Sequence, residues 1–139
     1  MLRALLRFAL LACVLGTAGA QLPPADAQAI RGVVSDQLEA FGRDDAERAF
    51  SLATDAIRAR FGSAAEFIHM VRTAYPAVYR PRTARFEAPF ESDGDVIQPV
   101  RLTDAEGRAW LALYPMRRQP GGAWRIDGCV LRRLAAQET

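Results

Sequence analysis

Several residue types that carry catalytic chemistry are scarce in this chain. Its 139 residues include no lysine, one histidine and two cysteines. Without lysine, neither a Schiff base nor a lysine general base is possible. One histidine and one cysteine that are far apart and lack paired spacing do not make a zinc site, so we expect neither a metal nor a cofactor.

Cysteine is also too scarce for a disulfide framework. Cys13 lies in an N-terminal segment that we expect to be removed, which leaves Cys129 alone. A single cysteine cannot form an intramolecular disulfide, even in an oxidising compartment. The stability of the domain must therefore come from its hydrophobic core.

Residues 1–20 have the layout of a cleaved secretory signal. Two arginines precede an apolar run from Phe8 to Leu15, and small residues follow up to Ala20. This arrangement predicts cleavage after Ala20 and a periplasmic or secreted protein. Lipidation of Cys13 is disfavoured, because part of the apolar run would then follow the lipid. A retained N-terminal anchor is the remaining alternative.

The expected cleavage also removes the excess of positive charge. Loss of Arg3 and Arg7 from the 18 basic residues leaves 16 arginines against 16 acidic residues. A neutral domain has no general electrostatic attraction to nucleic acid or to an acidic membrane surface. We therefore expect neither partner for the cleaved chain.

Residues 26–133 have the organisation of a single domain in which helices precede strands. Apolar residues recur at helical spacing from Asp26 to Arg43, and the segment GRDD restarts the chain as a second helix with an aspartate N-cap. Ser63 to Ala74 begins with an S-x-x-E capping box. On that helix His69 falls on the face opposite the apolar residues, so the histidine should face solvent.

After Pro76 the hydrophobic period changes from that of a helix to that of a strand. Four alternating segments are separated by the turns ESDGD, TDAEG and QPGG, which predicts an antiparallel meander. Pro89, Pro99 and Pro115 cannot donate ladder hydrogen bonds, so each should mark an edge position or a bulge. We expect an α+β domain with N-terminal helices packed on a strongly curved antiparallel sheet of about four strands.

Two segments carry a resemblance to a known family. RARFGSAAEFIHMVRTAYPAVYRPRTARF and WRIDGCVL resemble an uncharacterised family of small exported bacterial proteins, a domain of unknown function within the nuclear transport factor 2-like, or ketosteroid isomerase-like, superfamily. The resemblance covers about Ala27 to Leu131 and implies a cone-shaped α+β fold. It implies no activity, because a fold does not determine a function.

The superfamily resemblance suggests one enzymatic alternative. Ketosteroid isomerase-like enzymes place a carboxylate base near hydrogen-bond donors in a pocket between helices and sheet. Asp127 is the one acidic residue that lies inside a predicted strand near apolar neighbours. Together with Tyr75, Tyr79 or Tyr114 as the donor, Asp127 could act as the base of an isomerase or hydratase.

The alternation of the last strand, AWRIDGCVLRR, favours a structural role for Asp127 instead. Its bulkier residues are expected to form the core face: Trp124, Ile126 and Val130. Asp127 and Cys129 would then lie together on the opposite face, where Asp127 can pair with Arg101 or Arg117 of a neighbouring strand. Cys129 lacks a nearby base, so we interpret it as a small hydrophobic residue rather than a nucleophile.

The stretch YPAVYRPRTAR has the most unusual composition in the chain. Tyr75, Tyr79, Arg80 and Arg82 cluster where the last long helix leads into the sheet, and they could bind a small anionic or aromatic ligand. Tyr114 could add an aromatic wall. Alternatively, the tyrosine rings close the core while the arginines stay in solvent or pair with acidic residues.

Together these patterns favour a non-catalytic ligand-binding or interaction module over an enzyme. A further alternative is a structural homodimer formed through the face of the sheet. The segment AWLALYPM is apolar on both faces, which favours either a dimer or a buried central strand.

Overall fold

The structure, a computed structural model, describes residues 21–135. The helices are α1 (Pro24–Gly42), α2 (Ala46–Ser51), α3 (Asp55–Phe61), α4 (Ala64–Ala74) and α5 (Pro76–Tyr79). The strands are β1 (Thr83–Phe86), β2 (Phe90–Ser92), β3 (Asp95–Thr103), β4 (Ala109–Arg118), β5 (Trp124–Ile126) and β6 (Val130–Arg133). The predicted signal peptide lies outside these residues. In the part that is described, no helix has the length and apolar character needed to span a membrane.

Side-chain caps set the starts of three helices. Asp45, Thr54 and Ser63 each accept a hydrogen bond from the backbone N–H three residues later, at 3.1, 3.4 and 3.2 Å. Each bond satisfies one of the N–H groups that lack a partner in the first turn of a helix. Gly62 ends α3 with a φ of 82°, a left-handed conformation that glycine adopts without strain. The capping box predicted at Ser63 therefore marks the helix start that was expected.

The sheet is antiparallel and has four strand positions, as predicted. The long strands β3 and β4 are central and pair with each other. One edge position is shared by β1 and β2, which both pair with β3, and the other is shared by β5 and β6, which both pair with β4. The sheet curls into a half-barrel that follows the helices in the chain, which confirms the α+β class.

Each edge position is interrupted by a bulge. Across residues 87–89, here called the first bulge, and 127–129, the second bulge, the edge advances four residues while the central strand advances three. One extra residue is therefore inserted in each edge, which increases local twist and bends the strand. The strong curvature predicted from the prolines has this origin.

The first bulge lies opposite Pro99 of β3. The backbone N–H of Glu87 donates to the Pro99 carbonyl at 3.1 Å, but Pro99 has no N–H to donate in return. The side-chain amide of Gln98 takes this role, because its Nε2 donates to the Glu87 carbonyl at 2.7 Å. Gln98 is completely buried. The Gln98 amide thus donates the hydrogen bond to the Glu87 carbonyl that Pro99, without an N–H, cannot donate.

The second bulge lies opposite Pro115 of β4. The backbone N–H of Asp127 donates to the Pro115 carbonyl at 2.8 Å, and Gly128 has a φ of 138° that other residues rarely adopt. Of the three prolines predicted to mark edge positions or bulges, Pro89 lies within the first bulge, whereas Pro99 and Pro115 lie in the central strands opposite the bulges. A missing N–H in one strand is accommodated by a break in its neighbour.

The second bulge also reverses which residues of the last strand face the core. Ile126 is buried, as predicted, but Cys129 and Leu131 pack against the core and Val130 is 50 % exposed. The prediction that Val130 faces the core and Cys129 lies on the opposite face was therefore wrong. The extra residue shifts the alternation by one position, and a sequence period of two cannot reveal this shift.

The core lies between the helices and the inner face of the sheet. Side chains of α1 and α4 pack against those of the central strands, and the largest fully buried members are Ile30, Val34, Phe41, Val100, Leu102 and Tyr114. His69 is exposed on α4, as its place on the helix predicted.

Candidate functional site

A half-open cavity of about 520 Å³, here called the interior cavity, lies where the helices meet the second bulge. Its walls are mainly apolar and include Phe41, Phe61, Phe67, Met70, Val71 and Ile126. Polar side chains interrupt this lining at Gln37, Arg60, Tyr114, Asp127 and Cys129. Cavities of this size, with apolar walls and a few polar groups, are typical of small-molecule sites.

Tyr114 places a polar group in the lining of the interior cavity. It projects from the middle of β4 and is 1 % exposed. Its hydroxyl lies beside the Cys129 thiol, a weak hydrogen-bonding group, and has no nitrogen or oxygen partner among residues 21–135. Burial raises the pKa of Tyr114 well above its usual range, and the neighbouring Cys129 thiol raises it further. The hydroxyl therefore stays neutral and is free to donate or accept a hydrogen bond.

Cys129 lies beside Tyr114 because the second bulge turns it inward. Burial raises the pKa of the Cys129 thiol to about 12, and the nearby Tyr114 hydroxyl opposes this rise only in part. The thiolate is the nucleophilic form of cysteine, so a thiol with this pKa is a poor nucleophile near neutral pH. Within residues 21–135, no three His, Cys, Asp or Glu side chains lie together in a way that could hold a metal ion.

Asp127 lies at the edge of the interior cavity, but both of its carboxylate oxygens are engaged. Oδ1 accepts a hydrogen bond from Thr54 Oγ1 at 2.7 Å, and Oδ2 accepts one from Arg117 Nε at 2.8 Å. Burial alone would raise the pKa of Asp127, but the hydrogen bonds from Arg117 and Thr54 outweigh it and lower the pKa. The carboxylate is held ionised and joins the second bulge to the start of α3.

Backbone hydrogen bonds reinforce this junction. The Thr54 N–H donates to the Ile126 carbonyl at 2.9 Å, and the Ile126 N–H donates to the Leu52 carbonyl at 2.9 Å. Thr54 thus caps α3, extends the edge of the sheet and binds Asp127. This wall of the cavity is positioned by three independent contacts.

The residues predicted to form a ligand clamp are divided between different neighbours. The Tyr79 ring packs 6.3 Å from that of Phe41, with the guanidinium groups of Arg72 and Arg80 over its faces at 5.3 and 5.2 Å. Arg80 also forms an ion pair with Asp44 at 2.8 Å. The tyrosine is therefore enclosed by contacts within the chain.

The other clamp residues lie elsewhere. Arg82 donates to the backbone carbonyl of Ala105 in the turn between β3 and β4. Tyr75 lines the interior cavity and also a second cavity of about 570 Å³ that extends toward Trp110. Of the predicted ligand-binding residues, Tyr75 and Tyr114 thus share one cavity, whereas Tyr79, Arg80 and Arg82 do not line it.

A family profile described as a domain of unknown function, DUF4864, matches residues 23–139. The chain belongs to the DUF4864 family. No curated protein and no solved structure gives a significant match. The matched segment of the DUF4864 domain includes every helix and strand described above.

Some features of the DUF4864 domain could have been found in its sequence. Gln98 is a polar residue at an inward position of an otherwise apolar strand, and a buried amide at such a place indicates a hydrogen-bonding need. The contact between Thr54 and Asp127 gave no such signal, because 73 positions separate the two residues. The apolar residues that α4 contributes to the cavity have the spacing of an ordinary buried helix face, so the sequence does not distinguish a cavity wall from the core.

Proposed function

We propose that this DUF4864 domain binds a small, neutral, largely aromatic or apolar molecule in its interior cavity and does not catalyse its conversion. The observation that carries the proposal is the Tyr114 hydroxyl, which is buried, lines an apolar cavity and has no nitrogen or oxygen partner among the described residues. An unsatisfied buried polar group costs about 1–3 kcal/mol. A carbonyl or hydroxyl oxygen of a ligand would satisfy it.

The charges around the interior cavity favour a neutral ligand over an anion. Tyr114 and Cys129 both have raised pKa values and are neutral near pH 7. Arg60 is the one cationic side chain in the described lining, and it is exposed with its guanidinium beside the Phe61 ring. An anionic group would therefore have to stay at the rim, where Arg60 lies.

The enzymatic alternative is less well supported. A general base of the isomerase kind would need a carboxylate within hydrogen-bond distance of a tyrosine hydroxyl in the cavity. The partners of Asp127 are Thr54 and Arg117, and its pKa is lowered rather than raised. Cys129 is also unsuited to nucleophilic catalysis because burial raises its pKa.

Binding can be tested with Prodan, a neutral aromatic ketone whose fluorescence reports the polarity around it. We expect saturable binding to residues 21–139, which hold every described helix and strand. Tyr114→Phe should weaken binding about threefold to tenfold, because one hydrogen bond contributes about 1 kcal/mol. Met70→Trp should weaken it more than about tenfold by filling the cavity.

Two control variants distinguish Prodan binding in the interior cavity from binding at other surfaces. His69→Trp places the same large ring on the exposed face of α4, one residue from Met70. Arg80→Ala removes a clamp residue that lies outside the cavity. Both should leave Prodan affinity unchanged. If Arg80→Ala weakens binding while Met70→Trp does not, the ligand site is the clamp and the proposal fails.

We further propose that the protein is exported and that its fold is of the nuclear transport factor 2-like kind. Export is supported by the signal-like residues 1–20, and the fold by helices that lead into a curled antiparallel sheet. Mass spectrometry of the full chain expressed in a bacterial host tests the first point. A periplasmic product whose N-terminal residue is Gln21 is expected.

A further inference from the structure

The outer face of the sheet carries an apolar surface that the core does not use. This surface, here called the outer patch, is formed by Phe90, Ile97, Leu111, Leu113, Pro115 and Val130. Phe90 is 38 % exposed and Val130 is 50 % exposed. None of these six belongs to the core cluster of the described residues or to the partly buried residues packed against it, although Pro115 and Val130 also line the interior cavity.

Strand pairing makes the outer patch continuous. Ile97 of β3 lies between its partners Phe90 on one side and Pro115 on the other. Leu113 of β4 is the direct partner of Val130. Side chains of directly opposed residues lie on the same face of a sheet and contact each other. Val130 joins this row because the second bulge turns it outward.

The outer face is positively charged at one end of the strands. Arg85, Arg101, Leu111 and Arg132 follow one another across the sheet in a single row of partners. Arg101 forms an ion pair with Glu87. Arg85 and Arg132 are exposed and have no ion-pair partner among residues 21–135. Like charges in neighbouring strands repel each other, and the positive charges of Arg85 and Arg132 are not neutralised by any described residue.

The other end of the same face has an excess of negative charge, because its arginines, Arg117 and Arg125, are paired with Asp127 and Asp55. Asp93 in the turn between β2 and β3 and Asp95 at the start of β3 are both exposed. In the part of the chain that is described, neither of the two forms a salt bridge, although Asp95 is near enough to Arg117 to influence its pKa. The outer patch thus lies between a basic row and an acidic turn.

We propose that two copies of this chain pack outer patch against outer patch in a symmetric dimer. The two-fold axis would lie between the sheets and run across the strands, so that the basic row of each copy faces the acidic turn of the other. An axis along the strands would instead bring arginine onto arginine and carboxylate onto carboxylate. Face-to-face sheets pack with their strand directions within about 30° of each other, which this arrangement allows.

A second copy fits this surface better than an unrelated partner does. A symmetric two-fold contact uses the same patch twice, so the patch must be complementary to itself. The outer patch meets this requirement, because both signs of charge flank it at opposite ends. A partner of one charge would leave one end of the face uncompensated.

The mass in solution tests the dimer. Residues 21–139 are studied by sedimentation equilibrium from about 1 to 100 µM, the range in which moderate affinities are resolved. We expect a mass twice that of the chain. Leu113→Glu should weaken association more than about tenfold, because it buries a charge at the centre of the contact. A single-chain mass for the unsubstituted protein over the whole range would overturn the proposal.

Matched variants keep this test interpretable. His69→Glu introduces the same charge on the exposed face of α4 and should leave the dimer intact. Circular dichroism and thermal melting establish that Leu113→Glu is folded. If that variant unfolds, Val130→Glu provides the same charge at a half-exposed position and should give the monomer. A folded Val130→Glu dimer of unchanged affinity would contradict the contact.

Charge reversal tests the direction of the two-fold axis. Arg85→Glu with Arg132→Glu should weaken the dimer several-fold, and Asp93→Asn with Asp95→Arg should do the same. All four changes in one chain should restore most of the affinity, because each reversed end again faces its opposite. If the fourfold variant is weaker than either pair, the antiparallel arrangement is wrong.

Discussion

The two bulges of this sheet both lie beside a proline that lacks a backbone N–H, but they differ in how that missing donor is replaced. Each lies in an edge position opposite a proline of a central strand, and in each the bulged strand donates a backbone hydrogen bond to that proline. At the first bulge, Gln98 supplies the donor that Pro99 lacks. At the second bulge, no described side chain takes this role for Pro115, and the bulge instead lines the interior cavity.

This difference indicates that the first bulge has a structural role, whereas the second bulge belongs to a candidate ligand site. Gln98 is committed to two carbonyls, those of Glu87 and Pro99, at 2.7 and 2.8 Å. Tyr114, the direct partner of Gln98 across β3 and β4, has a hydroxyl without a described nitrogen or oxygen partner. Four buried side-chain atoms of the described residues lack a partner: Arg58 Nε, Gln98 Oε1, Trp124 Nε1 and the Tyr114 hydroxyl. Of these four residues, only Tyr114 lines the interior cavity, where a ligand could satisfy it. The four predictions below test whether the first bulge is structural and the second functional.

The largest expected effect is on the reactivity of the thiol at the second bulge. Raising the pKa of Cys129 from 9.0 to about 12 lowers its thiolate fraction about a thousandfold near pH 8, while greater nucleophilicity restores about thirtyfold. Alkylation by iodoacetamide should therefore be at least about thirtyfold slower than for a free thiol such as glutathione. Labelling followed by mass spectrometry measures the rate. A rate equal to that of glutathione would mean that the thiol is neither buried nor held beside Tyr114.

Removal of the amide at the first bulge should give the largest loss of stability. Gln98→Met keeps the length of the side chain but leaves the Glu87 carbonyl without its donor, so the free energy of unfolding should fall by about 2 kcal/mol. Urea denaturation measures this change. Prodan binding should be unaffected, because Gln98 is not among the residues that line the cavity. A neutral effect would show that the amide is not needed opposite Pro99.

Asp127→Ala should have a smaller effect at the second bulge. The change removes hydrogen bonds to Thr54 and Arg117, and we expect a loss of about 1 kcal/mol, since the arginine is 65 % exposed and solvent weakens the ion pair. A lowered pKa means that the carboxylate stabilises the fold above its unfolded pKa of about 4. That contribution is lost as the pH falls through the lower, folded value.

Acid denaturation measures this loss, and the turn between β3 and β4 provides an internal comparison. Burial alone would raise the pKa of Asp104, but hydrogen bonds from Trp110 and Arg108 lower it to about 2. Its stabilisation should therefore persist in Asp127→Ala and disappear as the pH falls from about 4 toward 2. If Asp127→Ala shows the same acid dependence as the unsubstituted chain, Asp127 does not stabilise the second bulge.

The smallest expected effect has the opposite sign. Tyr114→Phe removes an unsatisfied hydroxyl and keeps the ring, so the free energy of unfolding should rise by up to about 1 kcal/mol. Thermal melting of the ligand-free protein measures it. The same change should weaken Prodan binding, and a residue that lowers stability while it supports binding marks a functional site. A loss of stability would indicate that the hydroxyl has a structural partner.

Much of the fold could be predicted from the sequence because its signals are local. Ser63 and Thr54 cap helices through backbone groups three residues away. The change of period after Pro76 separates helices from strands, and the turns fix four strand positions. The three prolines indicated where the sheet is irregular: Pro89 lies in one of the two bulges, and Pro99 and Pro115 lie opposite the bulges in the central strands.

The candidate site was less predictable because it depends on one inserted residue. Cys129 faces Tyr114 only because the second bulge shifts the alternation of the last strand. Asp127 is bound by Thr54, which lies in the helical half of the chain. Neither contact follows from the residues adjacent in sequence, since strand pairing decides both.

The sequence by itself determined the α+β order, the helix starts, the neutral charge of residues 21–139 and the absence of lysine chemistry, since these depend on composition and on contacts within a few residues. The tertiary structure alone decided which side chains the cavity and the outer patch contain. Two prolines in the central strands each leave a missing donor, and the neighbouring edge strand bulges in response. The second bulge turns Cys129 toward Tyr114 and Val130 toward solvent. It thereby contributes to both the interior cavity and the outer patch, for which functions are proposed.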